Sequence, residues 1–184
     1  MNKLIEFWVN LIVALEKQID GVPPKIKGAV VSALYEKGFI TEENLSDVKD
    51  AKISEMNNIC NTTILNGFDI ELSDNQTYHF SLDYTDQTMI SKLNDKAIAG
   101  ETFLPWHWDN GTCKIFLPED IKKINAAMEE LITFQITYFN SLRDYINSMR
   151  KVDKVMDVTY GVKIPEQHQS EVLKILYQKI EGSE

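Results

Sequence analysis

Four side chains of this sequence have the chemistry of a metal site. Cys60, Cys113, His79 and His107 supply two thiols and two imidazoles, a ligand set that structural zinc sites use. The strand pattern described below puts His79 on a polar face. It puts His107 and Cys113 on opposite faces of one hairpin, where they would not share an ion. We therefore predict no metal site, and we interpret the four residues as two buried thiols and two solvated imidazoles.

Patterns for covalent or acid–base catalysis are also weak. The chain has no Gly-x-Ser-x-Gly nucleophile motif and no glycine-rich phosphate-binding loop. Cys60 falls in a predicted helix, where a thiol is usually a packed apolar side chain. Asp109 and Glu119 have the chemistry to flank a glycosidic bond, but carboxylates are frequent here and the coincidence has little weight. We predict that the protein is not an enzyme and that it binds no cofactor.

Trp106 and Trp108 allow two interpretations. Two indoles on one strand face form a platform on which a sugar or a protein can stack, or they cover the core of their own domain. The same strand face carries Leu104 and Ile115, which favours the core.

The elements that position these residues begin with a predicted β-hairpin. Apolar and polar residues alternate along both of its strands, with Phe68, Ile70, Leu72, Tyr78, Phe80 and Leu82 as the apolar members. A three-residue loop at 74–76 pairs Ile70 with Phe80 and keeps the apolar side chains on one face. A two-residue loop would mix the faces, because a slip of one residue inverts every side chain. We predict the three-residue loop.

A second hairpin is predicted around Asn110–Gly111, a strong two-residue turn signal. Its register puts five residues on one face, namely Leu104, Trp106, Trp108, Cys113 and Ile115. His107, Asp109 and Lys114 fall on the other face.

Pro118 then opens a long predicted helix with acids in its first turn. Apolar residues follow at alternating steps of three and four: Ile121, Ile124, Met128, Leu131, Tyr138, Leu142, Tyr145 and Met149. Gln135 interrupts this stripe, either as a polar residue that fixes register in an oligomer or as the edge of a helix packed within its own domain. The width of the stripe favours packing within the domain.

The N-terminal residues 3–19 are predicted to form an amphipathic helix, which Gly21 and Pro23-Pro24 end. Beyond that break the helix has little of the chain to pack on, so its apolar face is expected to meet a partner. The predicted interface consists of Leu4, Phe7, Trp8, Leu11 and Leu15. Deletion of residues 1–20 is expected to leave the rest of the chain folded.

Charge excludes some classes of partner. The formal net charge is −9, and Lys and Arg occur singly or in pairs such as Arg150-Lys151. Because a phosphate backbone requires a basic surface, we predict no nucleic-acid binding. The apolar N-terminal stretch is short and interrupted, so we predict no membrane span.

The pattern as a whole predicts an α+β protein, mainly α, with two short antiparallel β-hairpins packed on a long helix and with N-terminal helices. We divide the sequence into an N-terminal attachment helix (1–22), a helical segment (23–66) and an α+β domain (67–184).

An ordered set of segments also carries a family resemblance. These segments are ILNGFDIELSDNQTYHFSLDYTDQ, WHWDNGTCKIFLPEDI, ITFQITYFNSLRDYI and YGVKIPEQHQSEVL. Together they resemble uncharacterised proteins encoded in the tail-gene clusters of phages and prophages of low-GC Gram-positive bacteria. Upstream, ALYEKGFITEENLSDV resembles short proteins of the same clusters. Two positions depart from the family pattern, Asn75 at the first hairpin turn and Trp108 after His107.

The resemblance implies a location and no catalytic residues. It implies a structural component of a phage tail or tail-like particle, associated with the baseplate or fibre, made in the host cytoplasm and retained in the virion. Its partners would be other tail, baseplate or fibre proteins, together with further copies of itself in the assembled particle. The alternative is an assembly chaperone for the tail fibre that is not retained in the particle.

Overall fold

The computed structural model describes residues 2–15 and 17–182, which form seven α-helices and two small β-sheets. The helices are α1 (Lys3–Val13), α2 (Pro24–Glu36), α3 (Leu45–Asn66), α4 (Tyr84–Ile98), α5 (Pro118–Ser148), α6 (Val152–Met156) and α7 (Glu171–Glu181). The strands are β1 (Phe68–Glu71), β2 (Thr77–Phe80), β3 (Pro105–Trp106) and β4 (Lys114–Ile115). Each sheet is one antiparallel hairpin, β1 with β2 and β3 with β4. The predicted fold class, α+β and mainly α, is confirmed.

The chain divides into two compact units. The first unit contains the residues up to Cys60 and those from Thr137 onward, and the second contains Asn61–Ile136. Helix α3 changes unit after Cys60 and α5 changes unit after Ile136. The units are defined by contacts in space, and they differ from the division at residues 22 and 66 that the sequence suggested. Residues 1–22 and the residues from Thr137 onward belong to the same unit.

The core of the second unit joins both hairpins to α4 and to the first half of α5. Its members are Leu72, Phe80, Leu82, Ile90, Leu93, Ala97, Leu104, Phe116, Ile121, Ile124 and Met128. Trp106 and Trp108 pack against this cluster at its margin. The expectation that both tryptophans cover the core is confirmed, as is the packing of both hairpins on the long helix.

The first hairpin has a three-residue loop, as predicted, but the predicted register is wrong by two residues. Ile70 pairs with Tyr78, and Phe68 pairs with Phe80. The loop therefore consists of residues 73–75, and Asn75 adopts a left-handed φ of 57°. An Asp74 oxygen accepts from the Gln76 N–H at 3.2 Å, which stabilises this turn. The apolar residues still share a face, because a slip of two preserves the alternation.

The predicted register of the second hairpin is wrong by one residue. This error changes which residues share a face of the hairpin. Trp106 pairs with Lys114, and the Phe116 N–H donates to the Leu104 carbonyl at 3.0 Å. Phe116 is consequently buried, while Cys113 and Ile115 are exposed. The central turn residues are Asp109 and Asn110, not Asn110 and Gly111.

Gly111 explains this slip. A Cβ atom at Gly111 would overlap the indole of Trp108. Glycine is therefore needed here for close approach of the backbone to a ring, and the left-handed turn position is taken by Asn110, whose φ is 60°.

The first unit is helical. Its buried residues come from α1, α2, α3, the second half of α5, α6 and α7, and they include Val9, Val30, Leu34, Val48, Met56, Cys60, Leu142, Ile146, Val155 and Leu173. Hydrogen bonds join the residues around the start of α3 to those around the end of α5 and the start of α6. The Glu42 carboxylate accepts from the Val152 N–H at 3.1 Å, and the Lys49 amine donates to the Asn147 carbonyl at 2.8 Å.

Pro118 opens α5, as predicted, and α3 runs unbroken to Asn66 with Gly67 after it. Helix α4 is capped by Asp83, whose carboxylate accepts from the Asp86 N–H at 2.8 Å. Helix α7 begins at Glu171. Helix α1 ends at Val13 rather than Ile19, with Glu16 outside the described residues.

No helix in the described part of the chain is both long enough and apolar enough to cross a membrane.

Candidate protein-contact site

Helix α1 is apolar around most of its circumference. Eight of its 11 residues are apolar, and the polar ones, Lys3, Glu6 and Asn10, fall on one narrow side. The Asn2 side chain begins the helix by accepting from the Leu4 N–H at 3.0 Å. A helix with so wide an apolar arc requires cover on more than one side.

The structure covers only one side of this arc. Helix α1 packs against α2, and Val9 is 2% exposed. On the neighbouring side Leu4 is 49% exposed and Phe7 is 55% exposed. The rings of Phe7 and Trp8 meet edge to face at 6.3 Å. An apolar ridge of this kind remains in water in the isolated chain.

The end of α1 is unusual because a leucine occupies a position that favours glycine. Leu15 has φ 60°, and its N–H donates to the Ile12 carbonyl at 2.9 Å. The Lys17 N–H returns to the Leu11 carbonyl at 3.3 Å. The left-handed conformation closes many helices, but for a residue other than glycine it costs about 1–2 kcal/mol. Burial of the side chain does not offset this cost in free energy, because the side chain is 92% exposed.

An apolar groove lies next to Leu15 within the first unit, with a volume of about 510 Å³. Its apolar walls include Ile12, Val13, Leu34, Phe39 and Ile40, and its rim carries charged residues of both signs, Lys17, Asp20 and Asp47. Phe39 is itself 53% exposed. This groove extends the apolar surface beyond the helix.

The residues predicted for the interface are therefore placed as follows. Leu4, Phe7 and Leu15 are exposed, and Trp8 and Leu11 are half-buried. We call these five residues the α1 surface. Leu15 is not part of the helix, but it continues the surface from the adjacent turn. Whether a partner uses the α1 surface stays a prediction.

The cysteines and histidines do not form a site. Cys60 is buried in the first unit, where burial raises the pKa of its thiol despite a hydrogen bond from Tyr160. Cys113 is exposed. The observed register of the second hairpin no longer assigns His107 and Cys113 to opposite faces, so that part of the argument was wrong. Across residues 2–15 and 17–182, no three His, Cys, Asp or Glu side chains group so as to hold a metal ion.

His79 is a structural imidazole, on the polar face as predicted. Its Nδ1 lies 2.8 Å from an Asp69 oxygen, and its Nε2 lies 2.8 Å from the Asn66 carbonyl oxygen. The hydrogen bond to Asp69 is the main reason that the pKa of His79 is raised. Asp109 ties this strand to the second hairpin, since its N–H donates to the His79 carbonyl and its carboxylate accepts from the Ser81 hydroxyl.

Lys114 also serves the fold. Its amine donates to the Tyr78 hydroxyl at 2.6 Å and to Asp74 at 3.1 Å. It also lies 4.1 Å from the centre of the Tyr78 ring and 4.7 Å from that of Phe116, within the range of cation–π attraction. This cluster joins the two hairpins and leaves no reactive amine.

Two Ser-x-x-Lys tetrads occur, at residues 46–49 and 148–151, the spacing of some serine nucleophiles. Among the described residues, neither tetrad has a hydrogen bond between its Ser hydroxyl and its Lys amine. Lys49 donates to a backbone carbonyl, as described above, and the Ser148 hydroxyl donates to the Tyr145 carbonyl at 2.7 Å. The apolar surface is thus the strongest candidate for a working site.

A known sequence family matches the middle of the chain. Residues 47–160 match a family described as a domain of unknown function, DUF4376. This span covers more than half of the 184 residues. The chain belongs to the DUF4376 family. The DUF4376 region contains both hairpins and α5. The α1 surface precedes this region, and of the residues that line the groove next to Leu15 only Asp47 lies inside it. No curated protein and no solved structure matches the chain.

Sequence reasoning missed two features of the first unit. It continued α1 through Leu15, because the three- and four-residue spacing persists there and no glycine marks a stop. It also treated Arg150-Lys151 as a minor pair, although Lys154 follows one helical turn later and the three residues line one groove.

Proposed function

We propose that this DUF4376 protein is a structural component of a phage tail or tail-like particle, associated with the baseplate or fibre, and that it works through protein–protein contacts. The single observation that carries the contact role is the uncovered α1 surface, with Leu15 held in a strained and exposed position. The location in a tail is supported by the sequence resemblance of the hairpins and α5 to tail-cluster proteins.

Strain at Leu15 favours a contact role over a purely structural one. The Leu15 backbone closes α1, but its side chain is 92% exposed and so offsets none of the cost of the left-handed conformation by burial. Such outliers are concentrated where a protein binds. Transfer of a leucine or phenylalanine side chain out of water contributes about 1.5–3 kcal/mol, so burial of Leu4, Phe7 and Leu15 by a partner would supply several kilocalories.

The contact uses a small preformed patch. Phe7 and Trp8 are held together by their edge-to-face packing, so little side-chain entropy is lost when a partner covers them. Aromatic anchors of this kind supply much of the energy in protein interfaces. In the particle, the proposed partners are other tail, baseplate or fibre proteins and further copies of this chain.

Quantitative mass spectrometry of purified particles tests the location. A fixed, stoichiometric amount of the protein per particle is expected of a component. Its absence from particles, together with its recovery in complex with an unassembled fibre protein, would replace this proposal with the assembly chaperone.

A further inference from the structure

A second groove in the first unit has a different chemistry from the α1 surface. It has a volume of about 400 Å³ and lies where α5 ends and α6 begins. Its apolar lining residues are Tyr145, Met149, Val158 and Val162. Its charged lining residues are three cations, Arg150, Lys151 and Lys154, and a single carboxylate, Asp157. We call it the basic groove.

The cations of the basic groove are exposed, and two of them are not used by the fold. Lys154 lies 3.7 Å from Asp157, which neutralises part of its charge. Among the described residues, Arg150 and Lys151 make neither a salt bridge nor a side-chain hydrogen bond. In a chain whose net charge is −9, this is a local concentration of positive charge. Charge of this sign beside an apolar wall fits a ligand that carries both carboxylates and apolar side chains.

We propose that the basic groove binds a short acidic, apolar segment of a partner protein, with its carboxylates on Arg150 and Lys151 and an apolar side chain against Met149 and Val162. Guanidinium and ammonium groups at a rim attract carboxylates over distance and fix the orientation of the segment. The apolar wall then removes one or two side chains from water.

The apolar wall and the overall charge favour a peptide over a nucleic acid. A polyanion gains affinity from a long basic track that neutralises several phosphates in a row. Here three cations lie together, and the chain as a whole repels a polyanion. The volume suits one short segment, since ligand pockets range from about 300 to 1,000 Å³.

Fluorescence anisotropy with the purified full chain tests this inference. The probe is a labelled peptide of about twelve residues in which Glu alternates with Leu and Phe, measured at about 0.15 M salt. Two matched peptides replace every Glu by Lys or every Leu and Phe by Ser. The Glu-containing apolar peptide is expected to bind, and both matched peptides are expected to bind at least about tenfold more weakly.

Variants assign the binding to the groove. The double variant Arg150→Glu, Lys151→Glu is expected to bind the acidic peptide about tenfold or more weakly than the wild type. The double variant Arg150→Gln, Lys151→Gln is expected to lose less affinity. Lys92→Glu with Lys122→Glu changes the net charge equally at exposed positions of the second unit and is expected to leave the affinity unchanged. Circular dichroism checks that each variant is folded.

Each other outcome overturns the inference. The acidic peptide could fail to bind, or it could bind the Arg150→Glu, Lys151→Glu variant as tightly as the wild type. A single-stranded oligonucleotide could also bind the wild type more tightly than the peptide does, and lose that binding in the same variant. The inference rests on the proposed function only in taking the partner to be a protein. Because the assay uses purified chain and synthetic peptides, its failure is distinct from absence of the protein from particles.

Discussion

At Leu15 the residue type that would best stabilise the fold differs from the one that would best serve a protein contact. Its backbone conformation favours glycine, whereas its exposed side chain extends the α1 surface. We predict that Leu15→Gly raises the free energy of unfolding by about 1 kcal/mol, because glycine adopts the left-handed region without steric cost. Urea unfolding followed by circular dichroism measures the change.

A neighbouring position provides the control for Leu15. Ala14 caps the same helix at φ −76°, so Ala14→Gly gains nothing from glycine's freedom and is expected to lower stability slightly. If Leu15→Gly lowers stability to the same extent, the leucine is not strained and the argument from its conformation is wrong.

His79 gives the molecule a pH dependence with a definite sign. Its pKa is raised in the folded chain, first by the hydrogen bond to Asp69 and then by that to the Asn66 carbonyl. Its stabilising contribution is therefore fully present below the pKa of an unfolded histidine, about 6.5, and is lost as pH rises through the higher folded-state pKa.

Urea unfolding midpoints of the wild type and of His79→Gln, measured from about pH 5.5 to about pH 9, test this pH dependence of stability. The wild type is expected to be the more stable at low pH, and the difference is expected to shrink as pH rises. A difference that grows with pH would show that the imidazole acts as a neutral acceptor instead.

Hairpin registers show what a local pattern determines at the scale of an element. In the first hairpin alternation assigned the faces correctly, but the exact pairing depended on Asn75 adopting a left-handed turn. In the second hairpin the Asn110–Gly111 signal placed the turn one residue late. Tertiary packing overrode this local turn signal. Burial of Phe116 and the close approach of Gly111 to the Trp108 indole fixed the register.

The second hairpin therefore depends on the missing side chain at Gly111. We predict that Gly111→Ala lowers the free energy of unfolding by about 1–3 kcal/mol, because the methyl group forces the Trp108 indole out of place. Urea unfolding measures the loss, and tryptophan fluorescence reports the displaced ring. Gly21 has open space around its Cα and an ordinary φ, so Gly21→Ala is the matched control and is expected to have little effect.

Helices were the more predictable elements because their start and stop signals are local. Pro118 opens α5 where the sequence placed it. At α1 the signals were absent, since Leu15 ends the helix in a conformation that no rule of composition assigns to leucine. Most of the fold was thus predictable, whereas the geometry at the candidate site was not.

At the scale of the whole molecule, the first unit carries two surfaces of different chemistry. The α1 surface is apolar and precedes the DUF4376 region. The basic groove lies inside that region except for Val162. A protein with two such surfaces is suited to join two neighbours in an assembly, one through apolar burial and one through charge.

Deletion of residues 1–20 is a poor test of this account, contrary to the expectation from sequence. Val9 and Ile19 are buried, so their removal would open the core of the first unit and lower stability. Substitution at exposed residues separates contact from folding. Phe7→Ser with Leu15→Gly reduces the α1 surface and leaves Val9 in place.

Incorporation of this double variant into particles is the most direct test of the central claim that the α1 surface holds the protein in an assembly. Purified particles carrying the wild type, the double variant or Ile98→Ser are compared by quantitative mass spectrometry, with Ile98 chosen as a similarly exposed apolar residue of α4. We predict that the double variant is folded in solution but at least about tenfold depleted from particles, while Ile98→Ser is incorporated normally. Wild-type levels of the double variant in particles would contradict the account.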